Sequence, residues 1–270
     1  MSTSALISAR IMAAATRGTH SVIGPFVVNL HQAKASAGWN YAIPVDGAEP
    51  TRQEIADLVA HFVQNDRVPR LELIAKTAPA VAPALAAAGF QVDDRLPQLA
   101  AEPGTRLTPR LPADVVVAMA APDNAELLAI AALQNDAYGE NEPPNQGDVD
   151  RLRHCITRGV LIATARAATG ELIGAGLIDV TGPHDPIGEL AAVATVREHR
   201  RRGIAGAISA FLTEAAFARG MALVFLECEA ENVGVYRKTG FTECGERLWM
   251  SLPTALRTHL ASEAQADHVA

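Results

Sequence analysis

The sequence predicts an α/β (α+β) fold in which a mixed, mostly antiparallel sheet is flanked by helices, in two copies of one design. Short apolar runs bounded by turn residues alternate with stretches of helical periodicity. Two of these runs, "VLIATARAA" and "LIGAGLIDV", flank a "TGE" turn, which is typical of an antiparallel hairpin. One strand–helix–strand pattern also occurs twice. With 270 residues, 49% of them apolar, the chain is long enough to bury such cores.

The N-terminal segment "ALISARIMAAAT" has the pattern of an amphipathic first helix. A transit-like segment is the alternative, because Arg10, Arg17 and Lys34 precede the first acidic residue, Asp46. We prefer the helix.

The repeated pattern links the two halves of the chain. Residues Pro69–Val92 and Val224–Glu243 each contain a strand with a Leu-Glu step, a helix, a Gly-Phe pair and another strand. Between the halves, "QLAAEPGTRLTPRLPAD" is rich in proline and lacks periodicity, as linkers do. We therefore predict one domain over 1–105 and a second over 106–270.

The second half has a clear order of elements. A strand leads to a helix capped by Asp123 or Asn124, with Glu126 in its first turn. The later elements, in order, are a second helix ending near Gly159, the hairpin, the loop "TGPHDPIG", the strand "ELAAVATV", a helix from Ile204 to a stop at Gly220, the strand "ALVFLECEA", a short helix in "NVGVYRKTG" and a last strand after "GF". The tail after Pro253 is predicted to be a terminal helix or frayed.

Composition excludes several classes of protein. The net charge of -7 and pI near 5.6 argue against a nucleic-acid partner. Three cysteines without metal-ligand spacing favour a reducing cytoplasm and predict no metal site. No apolar run has the roughly 20 residues of a membrane span, so no membrane contact is expected.

A basic, glycine-rich turn stands out against this acidic background. Arg200, Arg201 and Arg202 precede Gly203, Ala205 and Gly206, between a predicted strand and a predicted helix. A helix N-terminus presents unpaired N–H groups and a partial positive charge. Small residues let a ligand approach the backbone, and arginines pair with phosphate oxygens. The turn therefore predicts an anion site suited to a pyrophosphate, with an ordinary solvated surface as the alternative.

The identity of that anion is narrowed by the motif. The chain has neither GxxxxGK[ST] nor a GxGxxG at a domain start. Its Arg200-x-x-Gly203-x-Ala205 resembles the R/Q-x-x-G-x-G/A signature of the GCN5-related N-acetyltransferase (GNAT) family, and "YRKTGF" resembles the family's Y-x-K-x-G-F. The resemblance covers Asp114–Leu252 and implies the acyl-CoA N-acyltransferase fold. It also implies a degenerate N-terminal copy in a tandem arrangement.

The resemblance implies acetyl-CoA as co-substrate and a set of residues that bind it. Main chain before the turn would pair with the pantetheine arm where the strand splays from its neighbour, and the turn amides would hold the pyrophosphate. Asn232 either matches a family asparagine or only caps the short helix. The predicted cofactor-binding residues are Val193, Ala194, Thr195, Arg200, Arg201, Arg202, Gly203, Ile204, Ala205, Gly206 and Asn232.

Two catalytic residues follow from the same resemblance. Tyr236 would protonate the departing thiolate, with packing of the short helix as the alternative role. Glu189 would act as a base, directly or through water, and strand alternation places it on the face of Thr195; a solvated strand end is the alternative. Asp179 and Asp185 are lesser candidates for binding a cationic substrate. Cys228 is interpreted as a small buried hydrophobe, not a nucleophile.

The predicted function is transfer of an acetyl group from acetyl-CoA to a primary amine of a small molecule or peptide, by direct attack in a ternary complex. A non-catalytic CoA-binding or scaffold protein and an enzyme for another acyl-CoA are the alternatives. A homodimer is left open.

Overall fold

The computed structural model describes residues 1–32, 39–109, 111–139 and 143–257, and divides the chain into two compact units. One unit comprises Met1–Pro97 with Gly245–Ala270, and the other comprises Gln98–Cys244. Lys34, the loop residues 140–142 and the tail from residue 258 lie outside the described residues. The domain boundary at 105 stays a prediction.

The first unit combines antiparallel strand pairs with one parallel crossover. Its elements are α1 (Thr3–Ala15), β1 (Ser21–Ile23), β2 (Phe26–Leu30), β3 (Asn40–Pro44), α2 (Arg52–Gln64), β4 (Arg70–Ile74), α3 (Val81–Ala87), the start of β5 (Gln91–Ala101) and the end of β11 (Thr242–Ser251). Strands β1 to β3 form an antiparallel meander, β3 pairs with β4 in parallel, and β4 pairs with β11 antiparallel. Its core joins α2 and α3 to the sheet through residues such as Phe26, Phe62, Leu73, Leu85 and Leu248.

The second unit contains the end of β5 and the elements β6 (Val115–Met119), α4 (Asn124–Tyr138), α5 (Gln146–Thr157), β7 (Leu161–Ala167), β8 (Leu172–Asp179), β9 (Ile187–Thr195), α6 (Ile204–Ala218), β10 (Leu223–Glu227) and α7 (Val233–Thr239). Its strands follow the order β5-β10-β9-β8-β7-β6. All their ladders are antiparallel except β9 with β10.

Local chemistry sets the ends of these elements. Asp123 caps α4 by accepting a hydrogen bond from the Glu126 N–H at 3.0 Å. Gly220 follows α6 with φ +87°, a conformation that ends helices. Ile204 and Ile208 of α6 lie against Gly174 of β8, which packs the helix directly onto the sheet. The strand, turn and helix that carry the basic motif are therefore held by one core.

Most predicted elements are confirmed. The first helix, the hairpin β7–β8, the two helices before it and the strand–turn–helix order lie where they were expected. The repeated pattern is also observed, since β4-α3-β5 and β10-α7-β11 have the same order with a Gly-Phe pair before the last strand. That the first unit is a degenerate copy stays a prediction.

The predicted linker is wrong at its start. Residues Gln98–Ala101 are not loop but the end of β5, where they pair with β10. Leu99 is 0% exposed and Ala100 and Ala101 are also buried. Pairing with a strand more than 100 residues away in sequence thus supplies the burial that the local pattern did not show.

Among the described residues, no helix has both the length and the apolar composition needed to cross a bilayer.

We expect Leu99→Ala to lower the free energy of unfolding by about 2–5 kcal/mol, because it leaves a cavity in the core of the second unit. Leu111→Ala is the control, since Leu111 lies in the same unit and is 41% exposed; its effect should stay within about 0.5 kcal/mol. Urea unfolding followed by circular dichroism measures both. Equal effects would contradict the assignment of this segment to the core.

Candidate active site

Strand β9 is paired with β10 over only the first three of its nine residues. Their parallel ladder joins only Ile187–Glu189 to Leu223–Phe225. Beyond Glu189, β9 continues for six residues to Thr195 with β8 as its registered partner. The expectation of a splayed strand is confirmed. The backbone groups on the other side of this segment can accept an extended ligand as an added strand.

A β-bulge lies within the separated part of β9. Ala175 and Leu177 are two residues apart on β8, whereas their partners on β9, Ala194 and Ala191, are three residues apart. The strand therefore contains one extra residue. Ala192 has φ +52°, a left-handed conformation that is uncommon for a residue with a Cβ.

The bulge corrects one prediction about Glu189. Because cross-strand partners lie on the same face, Ala191 and Ala194 share a face, although simple alternation would oppose them. Glu189 shares that face with Ala191, two residues along. Thr195 consequently lies on the opposite face from Glu189. One inserted residue reverses the alternation that the sequence-based argument assumed.

The basic turn leads into an uncapped helix. Arg197–His199 form a single 3-10 turn, and Arg201 and Gly203 have φ values of +62° and +87°. Gly203 is the N-cap of α6, and no side chain caps that end. Helix α2 in the first unit is different, since Thr51 and Glu54 form a reciprocal capping box at its start. The first N–H groups of α6 are thus available to an anion, while those of α2 already have an internal acceptor.

The three arginines of the turn differ in the contacts that they make. The Arg200 Nε donates to the Thr195 carbonyl at 3.0 Å and fastens the turn to the strand end. Arg202 donates to both carboxylate oxygens of Asp114, at 3.0 and 2.9 Å, and holds the pKa of that carboxyl below its usual range. The exposed Arg201 side chain has no hydrogen-bond or ion-pair partner within the described ranges. Arg201 is therefore the arginine whose side chain is available to bind a phosphate.

A buried hydroxyl lies where the strand meets the turn. Thr195 is 9% exposed, and its Oγ1 has no hydrogen-bond partner among the described residues. An unsatisfied buried polar group costs about 1–3 kcal/mol. The unfilled hydrogen-bonding capacity of this strand end and of the α6 N-terminus fits a phosphate-bearing ligand with an extended arm.

Gly206 has a packing role that the motif did not predict. A Cβ at this position would lie 2.8 Å from the Thr239 Oγ1. Thr239 is buried at the end of α7, and its hydroxyl donates to the Val235 carbonyl at 3.0 Å. Glycine at this position therefore lets α7 approach the first turn of α6.

Tyr236 lies on α7, in the same unit as the separated strands. Its ring packs on the core and lies edge-on to Phe241, with 6.2 Å between ring centroids. Burial, with smaller effects from Cys228 and Tyr138, raises the pKa of Tyr236 above its usual range, so the phenol keeps its proton at neutral pH. The packing and the proton-donating roles are compatible.

Cys228 lies close enough to influence Tyr236, and its thiol is also protonated. Burial raises the pKa of Cys228 to about 11, and the carboxylates of Glu229 and Glu243 add to the increase. The thiolate is the nucleophilic form of cysteine. The environment of Cys228 therefore favours its interpretation as a packing residue.

The comparisons with known proteins agree with this geometry. Residues 127–241 match the acetyltransferase (GNAT) family. This segment is a GNAT domain. It contains α6 with its basic turn, the bulged strand, α7 and Tyr236, and the family's general reaction is acyl transfer from an acyl-CoA. Curated proteins gave no significant match to the sequence.

Solved structures resemble more of the chain than the GNAT domain alone. A GCN5-related N-acetyltransferase from Kribbella flavida is 25% identical, with a TM-score of 0.77 over 94% of this chain and 96% of that one. A tandem GNAT protein from the clavulanic acid biosynthesis pathway is 15% identical, with a TM-score of 0.58 over 92% and 94% of the two chains. A putative GNAT-family acetyltransferase from Novosphingobium aromaticivorans is 16% identical, with a TM-score of 0.51 over 93% and 97%. The last two likenesses concern the fold.

The structure also shows the burial and the contacts of the other predicted residues of the GNAT domain. Asn232 is exposed at the start of α7 and makes no side-chain capping bond, so the capping alternative has no support. Glu189 is partly buried at the last β9–β10 pair. Asp179 is paired with Arg158 at 3.1 Å, and Asp185 accepts three hydrogen bonds from Thr181 and Ile187 within its own loop. Both aspartates are thus engaged within the structure.

A polar cavity of about 380 Å³ lies in the first unit and includes none of the predicted site residues. Arg67 lines it but uses all five of its N–H donors on Asn40 and on four backbone carbonyls. No group of three or more potential metal ligands occurs within the described ranges. The contacts of Arg67 give no reason to propose a second functional site in this cavity.

Sequence reasoning missed three residues that shape the GNAT domain site. Gln134 of α4 donates from its Nε2 to the Ala192 carbonyl at 3.3 Å. Asp114 fixes Arg202, and Thr239 sets the spacing of α6 and α7. A glutamine on the apolar face of a predicted helix was the one available signal. The other two contacts join residues far apart in sequence.

We expect Gly206→Ala to lower the free energy of unfolding by about 1–3 kcal/mol, because its Cβ would collide with Thr239. The loss should shrink in a Thr239→Ala background, which removes the colliding hydroxyl. Gly234→Ala on α7 is the matched control, since a Cβ there has nothing within 4 Å. A double-mutant cycle by thermal unfolding measures the coupling; additive effects would contradict the contact.

Proposed function

We propose that the protein transfers an acetyl group from acetyl-CoA to a primary amine of a small molecule or peptide, by direct attack in a ternary complex. The observation that carries the proposal is the separated strand β9 running through a basic turn into the uncapped helix α6. This arrangement offers an edge for an extended arm and a donor-rich end for its phosphates. The GNAT domain assignment supports an acyl-CoA as the donor.

The residues of the turn would bind the pyrophosphate. The N–H groups from Arg201 to Gly206 surround the start of α6, where the helix dipole favours an anion. The Arg201 guanidinium adds a charge-assisted contact, and Thr195 offers the hydroxyl that lacks a partner. Main-chain groups of Val193 to Thr195 would pair with the pantetheine arm.

The reaction needs a neutral amine, because an ammonium has no electron pair to attack with. The amine nitrogen forms a bond to the thioester carbonyl carbon, and the C=O π pair moves onto oxygen. That pair then re-forms the carbonyl while the C–S bond breaks, and its electrons leave on sulfur. The nitrogen loses one proton and the sulfur gains one, so amide and CoA thiol are the products.

Two side chains would manage these protons. Tyr236 keeps its phenolic proton at neutral pH and would deliver it to the departing sulfur. Glu189, where the two strands part, would take a proton from the amine directly or through water. Burial raises the pKa of the Cys228 thiol to about 11 and keeps it protonated, so we assign it no role in the transfer.

We expect Arg201→Ala to weaken CoA binding about tenfold, the size of one charge-assisted hydrogen bond. Arg219→Ala is the matched control, because Arg219 caps the opposite end of the same helix. Isothermal titration calorimetry with CoA measures both. Absence of heat with the wild-type protein would refute the proposed function, and equal losses in the two variants would refute the role of the turn.

We expect Tyr236→Phe to lower kcat about 100-fold with CoA affinity unchanged, because the ring still packs but the proton is lost. Cys228→Ala should keep kcat within a few-fold of the wild type. Thiol release from acetyl-CoA across a panel of primary amines measures turnover. Full activity of Tyr236→Phe would exclude the phenol as the acid, and an inactive Cys228→Ala that still folds would favour a covalent acyl-cysteine route.

A further inference from the structure

We propose that Gln134 is a positioning residue for acyl transfer: its side-chain amide holds the Ala192–Val193 peptide of the bulge in the orientation that the acyl-CoA arm requires. The inference rests on the proposed function. Gln134 itself touches no reacting atom. It acts through the backbone of β9, to which its Nε2 donates at 3.3 Å.

The bulge needs an external hold because its conformation is unfavourable. Ala192 has φ +52°, and an alanine in the left-handed region is strained. The β8 register gives Ala192 and Val193 no partner, and pairing with β10 has already ended at Glu189. The register therefore leaves this peptide outside the regular ladder, and the hydrogen bond from α4 gives it a defined partner.

The buried position of Gln134 keeps water from competing for that hydrogen bond. Gln134 is 7% exposed and lies on α4 beside Ile130, Ala131 and Leu133, which are buried in the core. Water cannot easily replace the amide in such surroundings, and a hydrogen bond gains strength in a low-dielectric interior. Packing alone would favour an apolar residue here, so the amide group itself has a purpose.

The planarity of the peptide sets the direction of the next N–H. In a trans peptide, the carbonyl of one residue and the N–H of the following residue point in opposite directions. Since the Ala192 carbonyl faces Gln134 on α4, the Val193 N–H points away from α4. A flipped peptide would put a carbonyl oxygen where this donor now lies.

That exchange of donor for acceptor would affect the reaction more than the binding of the phosphates. The thioester oxygen gains negative charge as the amine attacks, and a fixed N–H stabilises that charge whereas a carbonyl repels it. The phosphates are proposed to bind ten residues further along, at the start of α6. Loss of Gln134 should therefore lower kcat by a larger factor than it lowers CoA affinity.

The test compares Gln134→Leu, of similar volume, with Gln134→Glu, whose carboxylate keeps the shape but cannot donate. Both should lower kcat at least about tenfold, as expected for misplaced reacting groups. Ala192→Gly should restore much of the activity of Gln134→Leu, because glycine adopts positive φ without strain. Asp136→Leu is the control, because Asp136 is exposed on the same helix; this variant should keep the kcat of the wild type.

A second readout does not depend on turnover. Amide hydrogen exchange at Val193, followed by NMR, should be faster in Gln134→Leu than in wild type, and acetyl-CoA should protect this amide in wild type only. Wild-type kcat in both variants overturns the inference while leaving the proposed function standing. Faster exchange with unchanged kcat also overturns it, since Gln134 would then be purely structural. A wild-type protein that neither binds acetyl-CoA nor releases thiol overturns the proposed function and the inference together.

Discussion

Beyond Glu189, strand β9 is paired with β8 on one side and has lost β10 on the other. A strand in the middle of a sheet normally has its hydrogen-bonding groups satisfied on both sides, because unpaired buried backbone groups are costly. Separation of the two strands creates an internal edge within the GNAT domain, which a ligand with an amide-bearing arm can fill. Glu189 lies where that edge begins, and the basic turn and α6 follow directly from its end.

The start of α6 supplies the second half of the proposed binding site. The comparison with α2 is informative, because both helices follow a strand and connect to a parallel neighbour, yet α2 closes its N-terminus with Thr51 and Glu54. Helix α6 begins at a glycine with no side-chain cap. Around it, Arg200 and Arg202 hold the turn in place through Thr195 and Asp114, and Arg201 remains for the ligand. Two of the three adjacent arginines therefore have a structural role, and the third is available for binding.

The bulge in β9 determines how the side chains and the main chain of this strand face the proposed site. One extra residue in β9 puts Glu189, the proposed proton acceptor, and Thr195, at the proposed phosphate site, on opposite faces of the sheet. Its strained residue, Ala192, and the positive φ of Arg201 bracket the stretch of main chain proposed to bind the arm. Strained backbone of this kind persists where surrounding contacts hold it, as the Gln134 amide does here.

The sequence by itself determined the order of helices and strands, the basic turn between β9 and α6, the short helix with Tyr236 and the resemblance to the GNAT family. These features depend on periodicity, turn residues and local motifs, which are properties of neighbouring residues. Tertiary structure decided which face Glu189 occupies, which arginine is available, why residue 206 is glycine, and that Gln98–Ala101 is strand and not linker. Each of these depends on register or on a contact between residues distant in sequence, and a single inserted residue or ion pair changes it without altering the local pattern.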